Sequence, residues 1–122
     1  MEWKIDNNKP VYIQLVEQLK VKIISGEIEL DSKLDSVRSL AADAMVNPNT
    51  MQKALAELER EGLVYSQRTA GRFVSDNKEK TDRLQEEMTM ECIKTFVAQM
   101  EKMGYKKEQI IEMLNKYISE NK

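Results

Sequence analysis

A chain of 122 residues, 33% charged and 41% hydrophobic, has the balance of a water-soluble, helix-rich protein long enough for one compact domain with an appendage. The formal net charge is −2, spread evenly: residues 1–75 hold 10 Lys/Arg against 11 Asp/Glu, and residues 76–122 hold 9 against 10. Histidine is absent and Cys92 is the one cysteine, which excludes the usual zinc ligand sets, Cys–His and Ser–His catalytic pairs, and an internal disulfide.

No apolar run approaches the ~20 residues that span a bilayer. Met1 to Asp6 lacks the basic flank and apolar stretch of a secretory signal. The expected location is the cytoplasm, without a membrane partner. Carboxylate-only and Ser–Lys chemistry remain open in principle, but the acidic residues fall mostly on polar faces of predicted helices and read as solvated surface. No enzymatic activity and no cofactor are expected. A basic footprint is the usual mark of a nucleic-acid binder. Overall composition lacks one, so any such function must rest on where the few basic residues sit.

Residues 1–9 are polar apart from Trp3 and Ile5. Pro10 suits a first helical turn, and Val11, Leu15, Val16, Leu19 and Ile23 follow at helical spacing up to Gly26, predicting a helix over about 10–25. The connection from Glu27 to Leu34 alternates Ile28 and Leu30 and has room for a short strand. Asp35 and Ser36 are candidate N-caps for a short second helix marked by Val37, Leu40, Ala41 and Ala44. After Val46, Asn47 offers another cap and Pro48 a first helical position. Met51, Leu55 and Leu58 form the buried stripe of a third helix ended by Gly62. Two short helices joined by a tight turn make a helix-turn-helix.

The period then changes. Residues 63–66 and 72–75 read as two strands around a tip at Gln67-Arg68-Thr69-Ala70-Gly71, which makes a wing. Residues 76–80 read as a polar hinge. A fourth helix over about 79–103 carries Leu84, Met88, Cys92, Phe96, Met100 and Met103 on one stripe, and Gly104 breaks it. A fifth over about 107–119 presents Ile110, Ile111, Leu114, Tyr117 and Ile118. The expected fold class is mainly α with a small β-hairpin: an N-terminal winged helix-turn-helix over residues 1–76 and a C-terminal two-helix dimerisation tail over residues 77–122.

Several of these stretches resemble the DNA-binding domain of the GntR family of bacterial regulators. They are residues 34–41 (LDSVRSLA), 46–50 (VNPNT), 54–63 (ALAELEREGL) and 71–74 (GRFV). The Asn-Pro-Asn-Thr turn and the short two-helix tail resemble the YtrA-type subfamily. The chain departs from the family pattern at Leu30-Asp31, where Pro-Gly is usual, at Asp35, where Pro is usual, and at the wing, where Gly-x-Gly-Thr-Phe-Val is common. The resemblance implies a DNA-binding transcriptional regulator, a repressor of a transporter operon acting as a homodimer on an inverted-repeat, double-stranded operator. The neutral charge keeps a second reading in view: a helical protein-interaction module without DNA binding.

The candidate DNA-binding residues are Ser36, Arg38, Asn47, Pro48, Asn49, Thr50, Gln52, Lys53, Arg68, Thr69 and Gly71. The resemblance implies that Arg38 reaches the DNA, where a guanidinium clamps phosphate or reads guanine; the alternative is a surface Arg paired with an acid. Asn47, Asn49, Thr50, Gln52 and Lys53 form the exposed start of the third helix, suited to phosphates and adenine edges. Asn47 alternatively serves only as a cap. Pro48 stands where relatives often carry Arg. Wing residues in the family enter the minor groove. Arg68 is preferred to Arg72 there, because Arg72 has already entered a strand.

The candidate dimerisation residues are Leu84, Met88, Cys92, Phe96, Met100, Ile110 and Leu114. The Met-rich stripe reads as a dimer core with the fifth helix. The other reading, an effector pocket, needs ~300 Å³ or more, which two helices scarcely enclose. Any small-molecule effector stays unassigned. Cys92 lies on the stripe expected to be buried and reads as packing rather than as a redox sensor.

Overall fold

The computed structural model describes residues 1–121. In chain order it has α1 (Val11–Ile24), α2 (Val37–Ala44), α3 (Pro48–Arg60), β1 (Val64–Gln67), β2 (Gly71–Val74), α4 (Lys78–Lys102) and α5 (Lys107–Glu120). The chain divides into two compact units, Met1–Leu84 and Gln85–Lys122.

The first unit is built around α3, which packs on both α1 and α2. Leu15 and Leu19 of α1, Leu40 of α2, Met51, Leu55 and Leu58 of α3, and Val64 and Val74 of the hairpin are fully buried. Each such side chain contributes about 1.5–3 kcal/mol through removal from water. Helical starts follow the local chemistry. The Ser36 hydroxyl accepts the Ser39 N–H at 3.1 Å, so Ser36 and not Asp35 caps α2. Asn47 Oδ1 accepts the Asn49 N–H at 2.8 Å, with Pro48 at the first helical position. The turn between α2 and α3 passes through Met45, which is left-handed at φ 58 and 88% exposed.

An N-terminal arm runs along α1, held by two glutamines one helical turn apart. Gln18 accepts the Lys4 N–H and donates to the Lys4 carbonyl; Gln14 does the same for Asp6. Trp3 and Ile5 of this arm pack against the core. The Trp3 indole N–H donates to Asp43 of α2 at 2.8 Å, and the Lys22 ammonium lies 4.8 Å from the Trp3 ring.

β1 and β2 pair antiparallel from Val64 opposite Val74 to Gln67 opposite Gly71. The strands sit one residue from their expected positions, towards the tip, so the loop is Arg68-Thr69-Ala70. The connection expected to hold a short strand makes an isolated bridge, Lys33 to Phe73. Around it Asp31 donates to the Val74 carbonyl, Leu34 to Arg72, and Val74 to Ser32. The segment thus lines the outer edge of β2.

Helix α4 begins at Lys78, inside the stretch read as a polar hinge. Asn77 Oδ1 accepts the Lys80 N–H, Thr81 is buried and donates its hydroxyl to the Asn77 carbonyl, and Leu84 packs on the core. The division at 84/85 therefore gives the first turns of α4 to the N-terminal unit, beyond the expected 76/77 boundary. In the second unit Gly104, at φ 95, separates α4 from α5, and Ile110 is buried. Ile93, Phe96, Ile111, Leu114, Tyr117 and Ile118 are exposed. Among the described residues, no helix is long and apolar enough to cross a membrane.

Candidate nucleic-acid interface

The exposed start of α3 carries Asn47, Pro48, Asn49, Gln52 and Lys53, with Thr50 half-buried. Met51 is fully buried and belongs to the core. The Asn47 carbonyl oxygen is spent on the cap, which leaves its amide N–H groups as donors. The Lys53 ammonium lies 5.0 Å from the Tyr12 ring of α1, a cation–π contact that limits its wandering. Ser36 caps α2 and Arg38, two residues on, is exposed.

The wing bends towards α3. Arg72 Nη1 donates to Gln52 Oε1 at 3.2 Å, and its Nε lies 3.6 Å from Glu59 Oε1. Ser66 of β1 donates to the same Glu59. Arg72 is thereby a strut between wing and recognition helix, while Arg68 stands free at the tip. Thr69 beside it is left-handed at φ 69, an uncommon conformation for a β-branched residue. Gly71, at φ 104, supplies the other turn of the tip. At the base of the hairpin Tyr65 stacks on Phe73 and donates its hydroxyl to Asp31 at 3.0 Å, which pushes the Tyr65 hydroxyl above its ordinary range.

Pairing sorts the cations of this neutral chain. In residues 1–84, Lys9, Lys20, Lys22, Arg60, Arg72 and Lys78 each sit beside a carboxylate. Arg60, for instance, holds the Glu57 carboxyl at about 2. Lys33, Arg38, Lys53 and Arg68 have no carboxylate partner among the described residues. They belong to the loop before α2, α2 itself, the exposed side of α3 and the wing tip. Those parts face nucleic acid in a winged helix-turn-helix. Lys4, Lys80 and Arg83, also unpaired, lie on the arm and the start of α4.

Two features escaped the sequence reading. Lys33 lines a cleft with Ser36, Thr69 and Gly71, because the bridge to Phe73 brings the loop alongside β2. Tyr12 sits beneath Lys53. Neither follows a local pattern, since each contact joins separate elements.

The tail residues are placed unequally. Leu84 packs on the N-terminal core and Ile110 is buried. Met88 and Met100 are half-buried, and Phe96 and Leu114 are exposed. Cys92, expected on a buried stripe, is exposed.

A recognition helix with a free polar start, a preceding helix across a tight turn and an adjoining hairpin define a winged helix-turn-helix DNA-binding protein. Residues 11–74 match the family described as "Bacterial regulatory proteins, gntR family". The transcriptional repressor YtrA of Bacillus subtilis is 36% identical over 110 residues, 88% of this chain and 84% of the relative. A GntR family transcriptional regulator from Listeria monocytogenes superimposes with a TM-score of 0.85 at 36% identity, covering 92% of this chain and 98% of that one. The DNA-binding domain of AraR, solved in complex with operator ORX1, aligns at 29% identity and a TM-score of 0.52, over 62% of this chain and 92% of that one. The chain belongs to the GntR family and is a DNA-binding transcriptional regulator, not an enzyme.

Proposed function

We propose that the protein is a homodimeric repressor that binds an inverted-repeat operator. In this reading α3 lies in the major groove, where Asn49 and Gln52 meet base edges. Asn47, Thr50 and Lys53 meet phosphates. Pro48 fixes the helix start beside them. Ser36 and Arg38 hold the flank of the groove, and Arg68, Thr69 and Gly71 enter the adjacent minor groove. The observation that carries the reading is the set of cations, Lys33, Arg38, Lys53 and Arg68, left without a carboxylate partner on these elements.

Dimerisation is supported by the apolar side chains of the tail that one chain leaves in water, among them Ile93, Phe96, Ile111 and Leu114. A second copy offers the same surface, and a two-fold pair buries both. Repression is supported by likeness to a relative named as a repressor. The YtrA-type resemblance makes a transporter operon the proposed target.

Selection of bound duplexes from a random-sequence pool tests the proposal. The expected consensus is an inverted repeat with half-sites about one turn, ~34 Å, apart. A single half-site, a direct repeat or no enrichment contradicts it.

A further inference from the structure

We propose that the cleft between the N-terminal end of α2 and the wing seats a backbone phosphate of the bound duplex, with Lys33 as its cation and Asp35 as an opposing charge that weakens it. The proposal rests on the DNA-binding reading and adds a contact that the helix-turn-helix pattern does not assign.

One wall of the cleft is residues 33–37 and the other is residues 69–72, and the space between is about 670 Å³. Its mouth is flanked by Ser36, Thr69 and Gly71, all placed at the DNA interface above. Lys33 is fastened there by its backbone: it bridges Phe73, and the neighbouring Leu34 donates to the Arg72 carbonyl at 2.9 Å. Its stem crosses Gly71, with Cε 3.2 Å from where a Cβ on that glycine would stand. The ammonium has neither a carboxylate partner nor a hydrogen-bond acceptor among the described residues.

The cleft's other cation and the Ser36 hydroxyl are engaged. Arg72 is held by Gln52 and Glu59, and the Ser36 hydroxyl accepts the Ser39 N–H. Lys33 is therefore the cleft's free positive charge. A phosphate is the anion that a duplex presents to this flank of the motif, and a flexible ammonium suits it as a point charge. Asp35 is exposed on the same wall. Its carboxylate repels the phosphate that Lys33 attracts, which makes this pair a setting for affinity rather than for sequence.

The test is the salt dependence of binding by the full-length protein to a mixed-sequence duplex of about 30 base pairs, since a phosphate contact carries no sequence information. Lys33→Gln should make the slope of log K against log salt shallower by about 0.9 per bound protomer. Lys78→Gln removes the same charge from a paired lysine outside the interface and should leave the slope unchanged. Asp35→Asn should tighten binding severalfold at low salt. Circular dichroism checks that each variant is folded. An unchanged slope for Lys33→Gln, or an equal loss for Lys78→Gln, overturns the phosphate seat while leaving DNA binding itself intact. Failure of the unaltered protein to bind any duplex removes both.

Discussion

Arg72 of β2 donates to Gln52 of α3 across 3.2 Å, and this bond ties the wing to the recognition helix. With Glu59 3.6 Å from the guanidinium Nε, the arginine is a strut held at one fifth exposure. The two wing arginines therefore do different work. Arg72→Ala should lower stability by about 1 kcal/mol, the usual worth of a hydrogen bond, and shift the thermal midpoint by a few degrees. Arg68→Ala should leave the midpoint in place and lower operator affinity more than Arg72→Ala does. Melting curves and mobility-shift titrations on one duplex decide it. The reverse order for affinity would mean that Arg72 and not Arg68 meets DNA.

Arg38 is exposed on α2 and unpaired. Arg38→Ala should weaken operator binding by roughly 1–3 kcal/mol if the guanidinium reads a base, with the melting curve unmoved. Equal affinity for both proteins would take Arg38 out of the interface.

Met45 joins α2 to α3 in the left-handed conformation with its side chain in solvent. A side chain there carries strain that glycine lacks. Met45→Gly should raise stability by about 0.5–1 kcal/mol, measured by urea denaturation. A loss of stability would mean that Met45 makes a packing contact worth more than the strain.

The Trp3 indole holds the Asp43 carboxylate below the usual range. A carboxyl whose folded pKa is depressed favours the folded state above its unfolded value, about 3.9, and that contribution disappears as pH falls through the folded value. Asp43→Asn should flatten this part of the acid limb. Emission from Trp3, the one tryptophan in the chain, should shift with pH in the unaltered protein and lose that step in the variant. An identical step in both proteins would assign the titration to another group.

Much of this architecture was legible in the residue order. The apolar period of α1 and α3, the caps at Ser36 and Asn47, and the change to short alternating strands after Gly62 are local signals, and local signals survive in sequence. What stayed hidden joins distant positions. Gln14 and Gln18 look like ordinary helix-surface residues until the arm lies beside them. Lys20 and Glu61 stand 41 positions apart, so composition counts both charges and cannot see that they cancel. Only the fold tells which cations keep no carboxylate partner, and Lys33, Arg38, Lys53 and Arg68 are among them. The division at 84/85 was hidden for the same reason: residues 76–80 are polar as a string, while Leu84 packs on the core.

That docking refines the tail. A chain ending at residue 84 should remain folded and monomeric. One ending at residue 77 loses Leu84 and buried Thr81 and should be less stable by about 1–3 kcal/mol. Sedimentation and urea denaturation of the two truncations and the full chain separate folding from association. Dimerisation of the 84-residue chain would move the interface out of the tail.

Hydroxyl-radical footprinting of the full-length protein on the DNA upstream of its own gene tests the central claim most directly, because it reports groove, register and symmetry together. A homodimer reading DNA through α3 and the wing should leave two protected patches related by a dyad, about one helical turn apart, and Arg38→Ala should fade both patches equally. One patch without a symmetry mate, or no protection at a concentration where the protein is folded, would contradict it.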